Sequence, residues 1–237
     1  MAKIIINDLI IDVVQKKIKN LHLSVYPPNG TVKVAAPEQM DIDSIRIYII
    51  SKLDWIKKQQ ARFVEQERIT TRDYINRESH YYLGKRYLLN IIESDQPHRV
   101  EIKYRKLNLY VSYNSSKEKR REILECWYRK SLREIAKKLI QKWEIAMHIK
   151  VDSFHIKKMK TMWGACNIEA KRIWVNLELA QKDISCIEYI VVHEMVHLLE
   201  RNHNQNFTAY MNRFLPEWKV LRDTLNKTPL NHQEWLY

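Results

Sequence analysis

Glycine is scarce in this chain: 3 of 237 residues, with 6 prolines, which leaves little material for flexible linkers. Cysteine is equally sparse. Cys126, Cys166 and Cys186 are odd in number and show no C-x-x-C spacing. That excludes a disulfide framework and points to a reducing compartment, with the cytoplasm as the expected location. Long hydrophobic runs are missing too, since no stretch approaches the roughly 18 apolar residues needed to cross a bilayer. The apolar start MAKIIINDLIIDVV is interrupted by Asn7, Asp8 and Asp12 and has no small-residue cleavage site, so it reads as strands and not as a signal peptide. No internal repeat and no low-complexity segment is visible.

Acidic residues are in deficit, 28 against 41 Lys and Arg, for a formal net charge of +13. Such an excess invites a polyanionic partner, although lysines also serve solubility alone. Nucleic acid and an anionic membrane surface are the polyanions this charge most obviously suggests, and the expected partner is DNA, with no membrane association expected. What is abundant is core material: 45% hydrophobic residues with 7 Trp and 13 Tyr describe a compact globular protein. The length suits one catalytic-sized unit with an added subdomain.

Along the chain, LHLSVYPPNGTVKVAAP alternates apolar and polar residues around Pro27-Pro28-Asn29-Gly30, the pattern of a β-hairpin. From Asp41, apolar residues at Ile45, Ile49, Leu53 and Ile56 predict a helix capped by Asp41 or Asp43. KRYLLNIIES and RVEIKYRKLNLYVSY supply three further strands. Residues 117–147 predict one long helix burying Ile123, Trp127, Leu132, Ile135 and Leu139. From Lys117 to Lys150 it carries 11 Lys and Arg against 5 Asp and Glu, either a phosphate-facing surface or a solvated outer face. VDSFHIKKMK and RIWVNLEL read as strands, ISCIEYIVVHEMVHLLE as a largely buried helix, and NFTAYMNRF and PEWKVLRDTLN as two more helices.

The chemistry concentrates in VVHEMVHLLERNH. Residues four apart lie on one helix face, so His193 and His197 can hold one ion, and Glu194 beside them can take a proton from water on that ion. Imidazole ligands suit zinc, and three protein ligands leave a coordination position for water, whose pKa falls toward ~7. The flanking YIVV and LL make the helix so apolar that buried polar residues on it must be paired or metal-bound. The third ligand is open between His203 and Glu217, with His203 favoured. On a straight helix His203 would stand ~9 Å beyond His197, so the chain must turn after Leu199, and Asn202, which tolerates the left-handed conformation, is the expected turning residue. Cys166 as a fourth ligand competes with a buried structural role, and Tyr210 and His155 are candidates for oxyanion stabilisation. The strand RIWVNLEL is a candidate edge for β-augmentation by an extended peptide, with Asn176 as a candidate substrate-orienting residue.

The stretch from about Met159 to Trp218, with its WGAC, LN-containing segment, HEMVH, NH pair, Phe and P-E-W, resembles the core of the YgjP-like metallopeptidases, which are similar to the SprT-like and WLM-type zinc proteases. The hairpin and LDWIKKQQARF resemble the N-terminal portion of that family. The resemblance implies one catalytic zinc held by His193, His197 and His203, with Glu194 as catalytic base. One departure is Met162, where family members commonly carry arginine before Trp-Gly. The SprT-like relatives also imply proteolysis coupled to DNA.

The expected protein is therefore α+β: a strand-rich N-terminal subdomain over 1–116, then a zincin-like core over 117–237 with a small sheet, a long backing helix and the HExxH helix. Its expected activity is zinc-dependent hydrolysis of a protein or peptide substrate. Two rivals stand beside it, a nucleic-acid-binding module with a structural zinc and an inactive scaffolding pseudoprotease.

Overall fold

Alternating burial builds the first sheet. In the computed structural model, which describes residues 2–26, 30–65, 72–159 and 162–227, the chain divides into two compact units, Met1–Arg68 and Ile69–Tyr237. In the first, β1 (Ala2–Ile6), β2 (Leu9–Lys16), β3 (His22–Tyr26) and β4 (Thr31–Pro37) lie in the order β1-β2-β4-β3. The outer pairs are antiparallel hairpins and the central β2–β4 pair is parallel. The β1–β2 turn is made possible by Asn7 at φ 53°, a residue that tolerates the left-handed region. Residues 27–29 of the expected hairpin turn lie outside the described residues. The inward positions Ile4, Ile6, Ile11, Val13, Val32, Val34 and Ala36 share one core with Ile45 and Ile49 of α1 (Ile42–Ser51) and Ile56 of α2 (Leu53–Glu65). Asp41 is the N-cap of α1, its carboxylate accepting from the Ser44 amide at 2.7 Å. The single helix expected from Asp41 is thus two, parted at Lys52.

The second unit repeats the same sheet plan. Strands β5 (Ser79–Tyr82), β6 (Lys85–Glu93), β7 (Arg99–Lys103) and β8 (Lys106–Val111) run in the order β5-β6-β8-β7, again two antiparallel hairpins joined by a parallel seam. The β5–β6 turn puts Leu83 and Gly84 at φ 47° and 77°, the two positive values a tight primed hairpin requires. The sequence shows no repeat because what the two sheets share is hairpin pairing and period-2 burial, not residue identity.

Helix α3 (Lys117–Met147) occupies the predicted span, capped by Ser116 and ended by His148 in the left-handed conformation. Its fully buried stripe is Leu124, Tyr128, Leu132, Ala136, Ile140, Trp143 and Met147. Of the residues expected inside, Leu132 lies on that stripe, and Ile123, Trp127, Ile135 and Leu139 flank it half-buried. Tyr128 enters the core because its hydroxyl donates to the Tyr81 carbonyl at 2.8 Å. Leu89, Leu107, Leu109 and Val111 of β6 and β8 belong to the same core as α3. The contact boundary therefore falls at Arg68–Ile69, while the sequence pattern changes near 116.

Beyond α3 come β9 (Ser153–Lys157), β10 (Gly164–Asn167) and β11 (Arg172–Asn176), in the order β10-β11-β9. A 3-10 helix, Leu177–Gln181, then receives the β5–β6 turn, with the Leu83 amide donating to the Ala180 carbonyl at 3.0 Å. Helices α4 (Ile184–Val196), α5 (Gln205–Phe214) and α6 (Trp218–Lys227) complete the described chain. The protein is α+β, and no helix among the described residues is long and apolar enough to cross a membrane.

Candidate metal centre

The N-terminus of α4 is fixed by Asp183, whose carboxylate accepts from the Ser185 amide at 3.0 Å and the Ser185 hydroxyl at 2.7 Å. Those bonds hold the Asp183 carboxyl below its usual range. The helix is then apolar nearly all round, burying Ile187, Ile190, Val191, Val192, Met195 and Val196. Within it, His193 is partly exposed and Glu194 is 6% exposed, and His197 stands at the C-cap.

After His197 the chain turns as the third-ligand reading requires, by a different device from the one expected. No residue from 197 to 204 has positive φ, so Asn202 does not adopt the left-handed conformation. Instead the last turn tightens, with the Leu198 amide bonding Met195 O and the Leu199 and Glu200 amides bonding Val196 O. The Glu200 carboxylate then accepts from the Asn202 amide at 3.1 Å, a bond that holds its pKa below the usual value. Asn204 immediately caps α5, accepting from the Phe207 amide at 3.0 Å, which brings His203 back over the end of α4.

The result is a triad of imidazoles whose nitrogens lie within 4.8 Å of one another, the group among the described residues suited to hold a metal ion. Neither Cys166 nor Glu217 belongs to it, and Glu217 is exposed. The His193 and His203 Nε2 atoms face each other at 3.0 Å. His197 Nδ1 stands 3.3 Å from the Glu200 carbonyl, which favours the tautomer with its proton on Nδ1 and the lone pair on Nε2. Burial, with the neighbouring His197 and His203 adding to it, pushes the His193 pKa down to about 3, and burial lowers His197 as well. Neutral imidazole is the form a metal requires.

This donor set fits zinc. Tetrahedral ligands at ~2.0–2.1 Å stand about 3.3 Å apart, close to the Nε2 separation found here. His193 Nδ1, on the far side of the ring from that Nε2, is buried without a partner among the described residues. Phe207, 3% exposed, lies against all three rings, with centroids 4.9, 4.8 and 4.6 Å from His193, His197 and His203. Its packing on the three rings was not legible from the sequence, where it stands four positions after His203.

Glu194 sits beside the triad, and burial pushes its pKa up to about 8. Both face a cleft of about 970 Å³ whose opposite wall includes Gly164, Ala165 and Cys166 of β10. Burial, and then the charge of Glu194, raise the Cys166 thiol to about 11, so it is held as the protonated thiol. Tyr210 stacks on Phe214 and His155 lies on β9, and neither lines the cleft. The expected docking edge is corrected in the same way. β11 is the central strand, paired on both sides, and the edge beside the triad is β10. Asn176 is fully buried. Its side chain donates to the Met159 and Met162 carbonyls at 2.9 and 2.7 Å, so it ties down the chain entering β10 and does not face substrate.

The sequence model of the YgjP-like family, metallopeptidase domain, matches residues 19–228. No curated protein matches the chain. Among solved structures, the chain is similar to the metallopeptidase zymogen of Pyrococcus abyssi abylysin, at 17% identity and a TM-score of 0.36 over 38% of this chain and 90% of that one. It is also similar to the metallopeptidase zymogen of Methanocaldococcus jannaschii jannalysin, at 19% identity and a TM-score of 0.34 over 40% and 92%.

Proposed function

This chain belongs to the family of YgjP-like metallopeptidases, and from that premise we propose that it cleaves peptide bonds at the His193–His197–His203 centre with Glu194 as base. It is a hydrolase. The observation that carries the reading is the convergence of three imidazoles beside a buried carboxylate at the floor of an open cleft. The three histidines would hold one zinc, which supplies Lewis acidity toward the substrate carbonyl and lowers the pKa of water. Glu194 accepts the proton of the attacking water and delivers it to the leaving amine. Its burial strengthens it as a base. The substrate is a protein or peptide in extended form, laid along the outer edge of β10, where backbone bonding positions a carbonyl over the histidines.

The catalytic groups all fall within 117–237, the proposed zincin-like core. Metal analysis of the purified protein should find about one zinc per chain, and His193→Ala or His197→Ala should lose it. Glu194→Gln should keep the metal and lower turnover of an unfolded protein substrate by about a hundredfold or more. Full peptidase activity in that variant would remove Glu194 from the mechanism. A structural zinc would need a closed fourth protein ligand, and Cys166 lies outside the ligand group.

A further inference from the structure

The wall and the floor of the cleft meet at Gly164. This residue opens β10, paired with Val175 of β11, and the chain before it is anchored from behind. The Asn176 amide donates to the Trp163 carbonyl at 2.9 Å, and the Asn176 side chain holds the Met162 carbonyl at 2.7 Å. On the other side stand Ile190 and Glu194, one turn apart on α4. A Cβ at position 164 would lie 2.6 Å from Glu194 Oε1, 2.8 Å from Glu194 Cγ and 2.8 Å from Ile190 Cγ2. Carbon atoms in good contact stand about 3.5–4.0 Å apart, so no side chain fits. Backbone freedom is not the reason for the glycine, because the positive-φ glycines are Gly30 and Gly84. The requirement is space. Ile190 is packed in the apolar core, whereas Glu194 lines the cleft, so the Glu194 side chain is the group with room to give way to a substituent.

We propose that Gly164 is a positioning residue for peptide hydrolysis: the absence of a side chain there sets the place of the Glu194 carboxylate, locking the base directly to the backbone of the strand on which substrate docks. The proposal rests on Glu194 acting as base. It makes one contact responsible for aligning proton acceptor and scissile carbonyl, where a misplacement of ~1 Å is worth up to about a hundredfold in rate.

The test compares the zinc-loaded full chain as wild type, Gly164→Ala, Glu194→Asp and the double variant, reading zinc content, KM, kcat and thermal midpoint. Gly164→Ala should keep its zinc, hold KM within about threefold and lower kcat about tenfold or more. In the Glu194→Asp background, whose carboxylate is one methylene shorter, the same alanine should lower kcat by less than about threefold and depress the thermal midpoint less than it does opposite glutamate. The midpoint comparison needs no turnover, so it decides the matter even where one variant is too slow to assay. Equal effects of the alanine in both backgrounds overturn the proposal, as does an unchanged kcat in Gly164→Ala. A fully active Glu194→Gln would instead overturn the assignment of the base, while the steric coupling read in the midpoints would remain, so the two failures are told apart.

Discussion

His203 owes its position to Glu200. The carboxylate that folds back on the Asn202 amide stops α4 without a glycine and without a left-handed residue, and Asn204 then starts α5. If that geometry supplies the third ligand, His203→Ala should weaken zinc binding by about two orders of magnitude or more in competition with a chromophoric chelator, and Glu217→Ala should leave it near wild type. The opposite ranking would assign this chain a carboxylate ligand. The three histidines and Glu194 were legible because HExxH spacing is a local property of a helix, and the need for a turn followed from helical rise alone. The turning device, the Phe207 floor and the clamp made by Asn176 were not. Each depends on partners distant in sequence or on a side-chain conformation that periodicity does not encode.

At the scale of elements, the long helix α3 and the strands of five residues or more were legible, and the four-residue strands β5 and β10 were not. α3 has the predicted ends because Ser116 caps it and the apolar period persists for eight turns, whereas the four residues of β10 begin with glycine and offer no alternation to read. β10 is also the strand that matters to the cleft, and its absence from the sequence reading is what sent the docking edge to β11. The basic surface of α3 is narrower than its composition suggests. Arg120 bonds Ser115 Oγ and the Tyr74 carbonyl, Arg129 bonds the Ile156 carbonyl at 2.6 Å, and Lys142 pairs with Glu188 at 2.7 Å. Arg121, Lys130, Lys137 and Lys138 remain exposed. If proteolysis is coupled to DNA, binding should fall by more than about tenfold between roughly 50 and 200 mM salt, with little sequence preference. Glutamate substitutions at those four positions should weaken it and leave zinc content unchanged. Fluorescence anisotropy with a labelled duplex reads both outcomes, and no binding at the lower salt would remove DNA from the account.

For the molecule as a whole, apolar alternation and helical spacing foretold an α+β protein and the β3–β4 hairpin within it, but not how the strands assemble. Hairpin partners are neighbours in sequence with turn residues between them, while nothing local announces that β2 joins β4, or β6 joins β8, in parallel. That seam has a consequence in time. Hairpins close around a tight turn within microseconds, and a parallel seam, which joins strands further apart in sequence, is expected to form later. Adjacent amides on β6 report the two events separately, since Leu89 N–H bonds Glu78 O at 2.8 Å toward the first hairpin and Leu88 N–H bonds Arg105 O at 3.1 Å across the seam. In pulse-labelled hydrogen exchange during refolding, the Leu89 amide should gain protection before its neighbour Leu88. Simultaneous protection would mean that the sheet condenses in one step, and a lag would make the seam the clock by which this sheet completes.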